Sequence, residues 1–359
     1  MRIALFGFPQ TGKSTLFRLL TGAEAPPHHA ARGEAQIGVA RVPDPRLDRL
    51  AELHRPRKVT PATVEYLDLP GVSKGEAAEV LPLEQLRLAD ALAHVVRAFH
   101  DSAVPHAEGT IDPRRDAETM DTELVLADHT IAERRVEKLE LLARKTNRDE
   151  DRTELELLRR VLGHLERAVP LRAVEFDARE QRILRGYTFL SLKPLLVVVN
   201  ADESDARRLD QGAAAFELEE LARHPATAVV ALSAKIEAEI ARLDAADAAA
   251  FRADLGIREP ALDRMIRASY RLLGRISFFT VGESECRAWT VAHGTAARAA
   301  AGTIHSDMDK GFIRAEVVAY DALVTAGNWN AARERGILRL EGKEYPVQDG
   351  DVLVIRFNV

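Results

Sequence analysis

Residues 1–22 read "MRIALFGFPQTGKSTLFRLLTG", and the middle of that stretch decides the fold. Gly7-Phe8-Pro9-Gln10-Thr11-Gly12-Lys13-Ser14 satisfies G-x-x-x-x-G-K-S in full, between a β-like run "IALF" and a helix-like run "STLFRLL". The glycines let successive backbone N–H groups converge on a phosphate, the start of the helix adds favourable partial charge, and the Lys13 ammonium reaches the outer phosphates. Ser14 offers a hydroxyl to Mg2+, and Thr15 follows it into the helix. The stretch predicts a strand, a phosphate-cradling loop and a helix, the first unit of an α/β nucleotide-binding domain.

Working outward, apolar runs and helical patterns alternate as far as "ALAHVVRAF" (91–99), the signature of a mostly parallel sheet with helices on its faces. Beyond about residue 118 the period changes. Ala132, Val136, Leu139 and Ala143, then Leu155, Leu158, Leu162 and Leu165, recur at spacings of three and four, with "RKTNRDEDR" between the two sets. These predict two amphipathic helices joined by a charged turn, a hairpin either packed like any helix pair or projecting towards a large partner. The strand pattern resumes in "KPLLVVVN" and "TAVVALSAK", so the hairpin reads as an insertion. From about residue 277, short strands and Gly-punctuated turns predict a small β-rich domain.

The whole-chain totals agree with a soluble protein of two or three domains, 359 residues long, 46% hydrophobic and 30% charged. No apolar run approaches the roughly 20 residues that span a bilayer, and "MRIALFGF" leads directly into a strand, so a cytoplasmic protein without membrane contact is expected. The single cysteine, Cys286, has no partner for an internal disulfide and no metal-spaced neighbours. A net charge of −6 gives no bulk electrostatic argument for nucleic acid.

Two further stretches carry chemistry. "DLPG" (68–71) ends the strand pattern "TVEYL", placing Asp68 to face Mg2+ through a water and the Gly71 N–H to face the γ-phosphate. Val72 follows, where Ras-like enzymes hold a glutamine that orients the attacking water, so slow turnover is expected. "NADE" (200–203) stands where guanine readers place Asn-Lys-x-Asp. Guanine presents two adjacent donors that an aspartate accepts together, whereas adenine has an acceptor at N1. Glu203 displaces that carboxylate by a methylene, and Ala201 removes the lysine stem that would cover the base. Asn200 can bond N7 and the adenine 6-amino group. Ser233, Ala234 and Lys235 supply a loop beside the base, and ATP is expected over GTP unless Asp202 reads guanine.

At these residues the chain resembles the Obg-like ATPases of the YchF type, translation-factor-related P-loop NTPases. Besides "GFPQTGKST" and "NADE", the resemblance rests on "RVPDPRLDRL", "TPATVEYLDLPG", "HVVRAF", "DTELVLADHT", "SAKIEAEIA", "GTIHSDMDKGFIRAEVVAYDAL" and "VQDGDVLVIRFNV", nearly the whole length. It implies a Ras-like P-loop domain (1–118 and 191–276), an inserted α-helical coiled-coil hairpin (119–190) and a β-grasp TGS domain (277–359). It also implies weak Mg2+-dependent ATP hydrolysis and ribosome association, with RNA contact through the TGS domain and the arm; a monomer is expected. Carried over, the phosphate site is Gly7 to Thr15, the switch aspartate is Asp68, and the base contacts are Asn200 to Glu203 with Ser233 to Lys235.

Two segments depart from that pattern. "PPHHAARGEAQIGVA" lacks the switch threonine that would stand near Arg32, and "GVSKGEAAEVLPLEQL" shortens the Gly-rich switch after "DLPG". Both bear on hydrolysis more than on binding. His28 and His29 lie in the first, as solvated loop side chains or as groups near the γ-phosphate; His305, in the last domain, reads as a buried bonded residue or an RNA contact. Residues 277–359 hold nine Lys or Arg against eleven Asp or Glu, so any RNA contact there is local. The expected activity is a slow ATPase with Lys13, Asp68 and Gly71 in the catalytic positions; a non-hydrolysing ATP-binding adaptor and a GTPase are the alternatives.

Overall fold

The computed structural model describes residues 1–23, 35–69, 83–106, 109–143 and 148–358. Gly71, Val72, His28, His29 and Arg32, with most of both departing segments, lie outside them. The chain forms two units, residues 1–39 with 65–268, and residues 40–64 with 269–359.

A six-stranded sheet runs in the order β2-β4-β1-β5-β6-β7, with β1 Arg2–Phe6, β2 Gln36–Arg41, β4 Thr63–Asp68, β5 Ala91–Ala98, β6 Leu195–Ala201 and β7 Thr227–Leu232. The pairings β4/β1, β1/β5, β5/β6 and β6/β7 are all parallel. Every residue of β5 and β6 is buried, so neither strand alternates polar with apolar residues, and the polar His94, Arg97 and Asn200 are buried with the rest. The three strands β1, β5 and β6 lie side by side, so the loops at their C-terminal ends converge, and ligands of open α/β sheets bind there.

The helix Pro113–Ala143 has 31 residues and does two jobs. Its Ala117, Met120 and Leu124 pack with Leu92, Val96, Val197 and Val199 against the sheet. Further along, Ala132, Val136 and Leu139 pack with Leu155, Leu158, Val161 and Leu165 of the helix Asp149–Leu165. Both sets lie along one run of buried positions, 117, 120, 124, 128, 132, 136 and 139, in which the charged Asp128 breaks the apolar pattern, so the sequence shows the hairpin periodicity only from Ala132. Leu162 is partly buried at the margin of this core, and Ala143 is exposed. Asp128 ties the helix to the chain that re-enters the sheet: its buried carboxylate accepts from the Leu190 N–H at 2.9 Å and the Ser191 N–H at 2.7 Å.

The second unit holds a mixed sheet in the order β11-β10-β12-β8-β9-β3. Its strands are β3 Lys58–Thr60, β8 Arg275–Thr280, β9 Glu285–Ala292, β10 Phe312–Ala319, β11 Arg339–Glu341 and β12 Asp351–Phe357. Residues 40–64 join this unit, where the sequence suggested only 277–359. The reason is physical: β3 pairs parallel with β9, and Arg46 bonds Asp44 and Asp349 together, Nη1 lying 2.8 Å from Asp349 Oδ2. The core is Phe278, Val291, Ala300, Ala315, Val317 and Leu353. Cys286, on β9, is buried, its thiol facing the Leu50 carbonyl. His305 is largely exposed and caps the short helix Ser306–Lys310, its ring nitrogen accepting from the Asp307 N–H; the buried reading of this residue is corrected.

Candidate nucleotide site

The turn from β1 into the helix Lys13–Thr21 departs from ordinary backbone geometry at two glycines. Gly7 has φ 139°, and a Cβ there would sit 2.5 Å from the Val95 carbonyl oxygen; Gly12 has φ 93° and packs directly on the Asn200 amide. Only residues without Cβ allow the loop to lie this close to β5 and β6. Gln10 also adopts a left-handed φ of 60°, and the Thr11 hydroxyl donates to the Phe8 carbonyl at 3.2 Å. The loop is thus held from within and from the sheet.

Lys13 is 6% exposed, and its ammonium donates to the Phe8 carbonyl at 2.7 Å and the Gly7 carbonyl at 3.2 Å. Burial pushes its pKa down to about 8, against the opposing pull of Asp68. Asp68, at the end of β4, is pushed above the usual carboxylate range by burial, although the Ser14 hydroxyl bonds it and Lys13 and Arg18 favour its charge. Its Oδ1 is buried and has no hydrogen-bond partner among the described residues. A carboxylate with a spare buried oxygen, beside a hydroxyl and an ammonium, is a donor set that suits a hydrated divalent cation with phosphate. Among the described residues no cluster of three His, Cys, Asp or Glu side chains is placed to hold a metal.

Next to this loop opens a cavity of about 610 Å³. Gly12 and Thr15 line it from the phosphate loop, Asn200, Ala201, Asp202 and Glu203 from the end of β6, and Ser233, Ala234 and Lys235 from the end of β7. The base-side residues expected from the sequence therefore meet in one place. Gly7, Pro9, Gln10, Thr11, Lys13 and Ser14 of the glycine-rich turn and helix start, with Asp68 at the end of β4, lie outside the lining of this cavity.

Asn200 does more than wait for a ligand. Its Nδ2 donates to the Thr11 carbonyl at 3.0 Å, and its Oδ1 accepts from the Ala234 N–H at 2.9 Å, so one buried amide joins three loops. One N–H and one lone pair remain available to a base. Glu203 forms an ion pair with Lys235. Asp202 is committed elsewhere: Oδ1 accepts from the Ser204 N–H and Oδ2 from the His100 N–H at 3.2 Å, bonds that hold its pKa below the usual range. Ser233 caps the helix Ala234–Ile240.

Phe99, His100, Asp101 and Ala238 also line the cavity and had been given no role from the sequence. The signal that could have found three of them is positional. "HVVRAF" ends a strand beside the phosphate-loop strand, and the residues immediately beyond such a strand face the ligand.

Over residues 2–126 the chain matches the family model described as 50S ribosome-binding GTPase. Residues 275–358 match a model named for the C-terminal part of YchF GTPases and described as a protein of unknown function. The ribosome-binding ATPase YchF of Haemophilus ducreyi is 44% identical, over 100% of this chain and 99% of that one. Its namesake in Bacillus subtilis is 41% identical over 99% and 98%. Among solved structures, the YchF GTPase of Schizosaccharomyces pombe superposes with a TM-score of 0.86 at 28% identity, covering 99% of this chain and 97% of that one.

Proposed function

The chain belongs to the YchF family, and on that premise we propose that it is a cytoplasmic, ribosome-associated P-loop nucleotide-binding protein that hydrolyses ATP slowly and prefers it to GTP. The curated relatives carry the name ribosome-binding ATPase, which supports the ribosome as partner and nucleoside triphosphate hydrolysis as activity. On this reading the chain is a monomer whose helical pair forms the inserted arm and whose second unit contains a TGS domain. Any RNA contact would run through those two parts.

The observation that carries the ATP preference is the state of the three polar side chains at the base end. Asp202 is used as a backbone cap, Glu203 is neutralised by Lys235, and Asn200 keeps one donor and one acceptor. At these positions the carboxylates of Asp202 and Glu203 already have partners, while adenine can use the Asn200 amide; the Asp101 carboxylate, also in the lining, accepts from the Ala103 N–H through Oδ1. The same commitment of Asp202 weighs against the GTPase reading.

At the phosphate end, Lys13 would exchange the carbonyls of Gly7 and Phe8 for phosphate oxygens, and Ser14 with Asp68 would hold Mg2+. The ion, when bound, would neutralise charge on the phosphates. The catalytic positions on this reading are Lys13, Asp68 and Gly71. Val72 after "DLPG" favours slow turnover, and the non-hydrolysing adaptor differs from the slow ATPase in turnover alone.

The test is a titration of the full chain with labelled ATP and GTP at equal Mg2+, followed by single-turnover hydrolysis, with Lys13→Ala as control. Tighter ATP binding and slow turnover lost in Lys13→Ala are expected. Tighter GTP binding refutes the base argument, and firm ATP binding without turnover leaves the adaptor.

A further inference from the structure

Arg97, near the end of β5, is 2% exposed. It stands in register with Asn200 on β6. Its Nε donates to the Phe99 carbonyl at 3.1 Å and its Nη2 to the Asp101 carbonyl at 3.3 Å, while the guanidinium carbon lies 4.5 Å from the centre of the Phe99 ring. Among the described residues no carboxylate lies within ion-pairing distance, and Nη1 is buried without a hydrogen-bond partner. A guanidinium taken out of water and satisfied only by loop carbonyls is an expensive way to hold a fold together, and an apolar side chain of similar length would do that more cheaply. What its fork and flat face do achieve is to fix two carbonyls and one aromatic ring at once. Those groups belong to Phe99 and Asp101, which line the cavity, and Asp202 fastens His100 between them.

We propose that Arg97 is a positioning residue for the base subsite: it holds Phe99 and the loop through Asp101 as the wall against which the base of the nucleotide packs. The proposal rests on the nucleotide-binding reading above and adds to it the residue that shapes the base end. Arg97 does not line the cavity, so it acts through Phe99.

The experiment compares Mg2+-ATP with Mg2+-tripolyphosphate, which shares the charged end of the ligand and lacks the base. Kd is measured for both on the full chain, for the wild type, Arg97→Lys, Phe99→Leu and the double variant. Lysine keeps the charge and loses the fork and the flat face, and Phe99→Leu changes a half-buried side chain, so one of the two remains informative if the other folds poorly. Loss of a base–aromatic contact corresponds to about tenfold or more in Kd. We expect Arg97→Lys and Phe99→Leu each to weaken ATP by about that factor, to leave tripolyphosphate within about twofold, and to add nothing to each other when combined. Equal weakening of both ligands, or an unchanged ATP Kd in Arg97→Lys, overturns the positioning role. A wild type that binds tripolyphosphate as tightly as ATP overturns the base subsite itself, and with it the reading on which this inference stands.

Discussion

Lys235 and Glu203, which come from the ends of neighbouring strands and both line the cavity, form an ion pair. That pairing decides what the Glu203 carboxylate can offer a base. With the ammonium on it, the carboxylate neither repels adenine N1 nor competes for the guanine donors. Lys235→Met should release it. The expected result is a narrowed ATP over GTP preference, by about tenfold, read from the two Kd values. Both side chains are well exposed, so the melting temperature should barely move. An unchanged preference means that the carboxylate takes no part in choosing the base.

Gly12 sits where the phosphate loop touches Asn200. A methyl group there would collide with the Asn200 amide nitrogen, on a backbone whose φ of 93° already disfavours a side chain. Gly12→Ala should therefore push Asn200 off both the Thr11 carbonyl and the Ala234 N–H, leaving buried polar groups unpaired at a cost of about 1–3 kcal/mol. Nucleotide binding should fall by more than tenfold, and denaturant unfolding should report the lost stability. Native-like affinity in this variant would show that the loop can move away from β6 without harm.

The geometry of the glycine-rich turn in the candidate site was legible because its signal is local. Gly7 to Ser14 are consecutive, and their roles follow from backbone shape and from the helix that begins at Lys13. The base half was legible only by type. "NADE" and "SAK" announced a base-facing pair of loops, but whether Asn200 faced a ligand or the Thr11 carbonyl depends on how β6 and β7 approach the phosphate loop, a long-range relation that spacing does not encode. Arg97 was invisible for the same reason. An arginine in an apolar run reads as an anomaly until the loop it holds, Phe99 to Asp101, is seen to curl back over it. The placement of 40–64 in the second unit follows from pairing between β3 and β9, more than two hundred residues apart.

The helical pair supplies a prediction that leaves the nucleotide untouched. Leu158 is fully buried among Val136, Leu139, Val161 and Leu165. Truncation to alanine removes its packing and leaves a cavity, for which about 2–5 kcal/mol of destabilisation is usual. Leu158→Ala should lower the unfolding midpoint markedly while changing the ATP Kd by less than about twofold, because its neighbours belong to a core separate from the one beneath the sheet. A parallel loss of ATP affinity would show the two cores to be coupled.

Asp128 makes the stability of this region depend on pH in a direction opposite to that of most carboxylates. Burial raises its pKa to about 6, against the backbone bonds from Leu190 and Ser191, its bond with Ser191's side chain, and the charge of Arg87. A carboxyl whose pKa is higher folded than unfolded binds its proton more tightly in the native state. Its contribution is therefore complete below the unfolded value of about 3.9, and is lost as pH rises through about 6. The shift of roughly two units corresponds to about 3 kcal/mol. Asp128→Asn cannot titrate, so the difference in unfolding free energy between wild type and variant isolates this group from all others. Going from pH 7 down to pH 4, that difference should move in favour of the wild type by about 2–3 kcal/mol. A difference that stays flat would show the carboxylate to be as well solvated by its two N–H donors as it is by water.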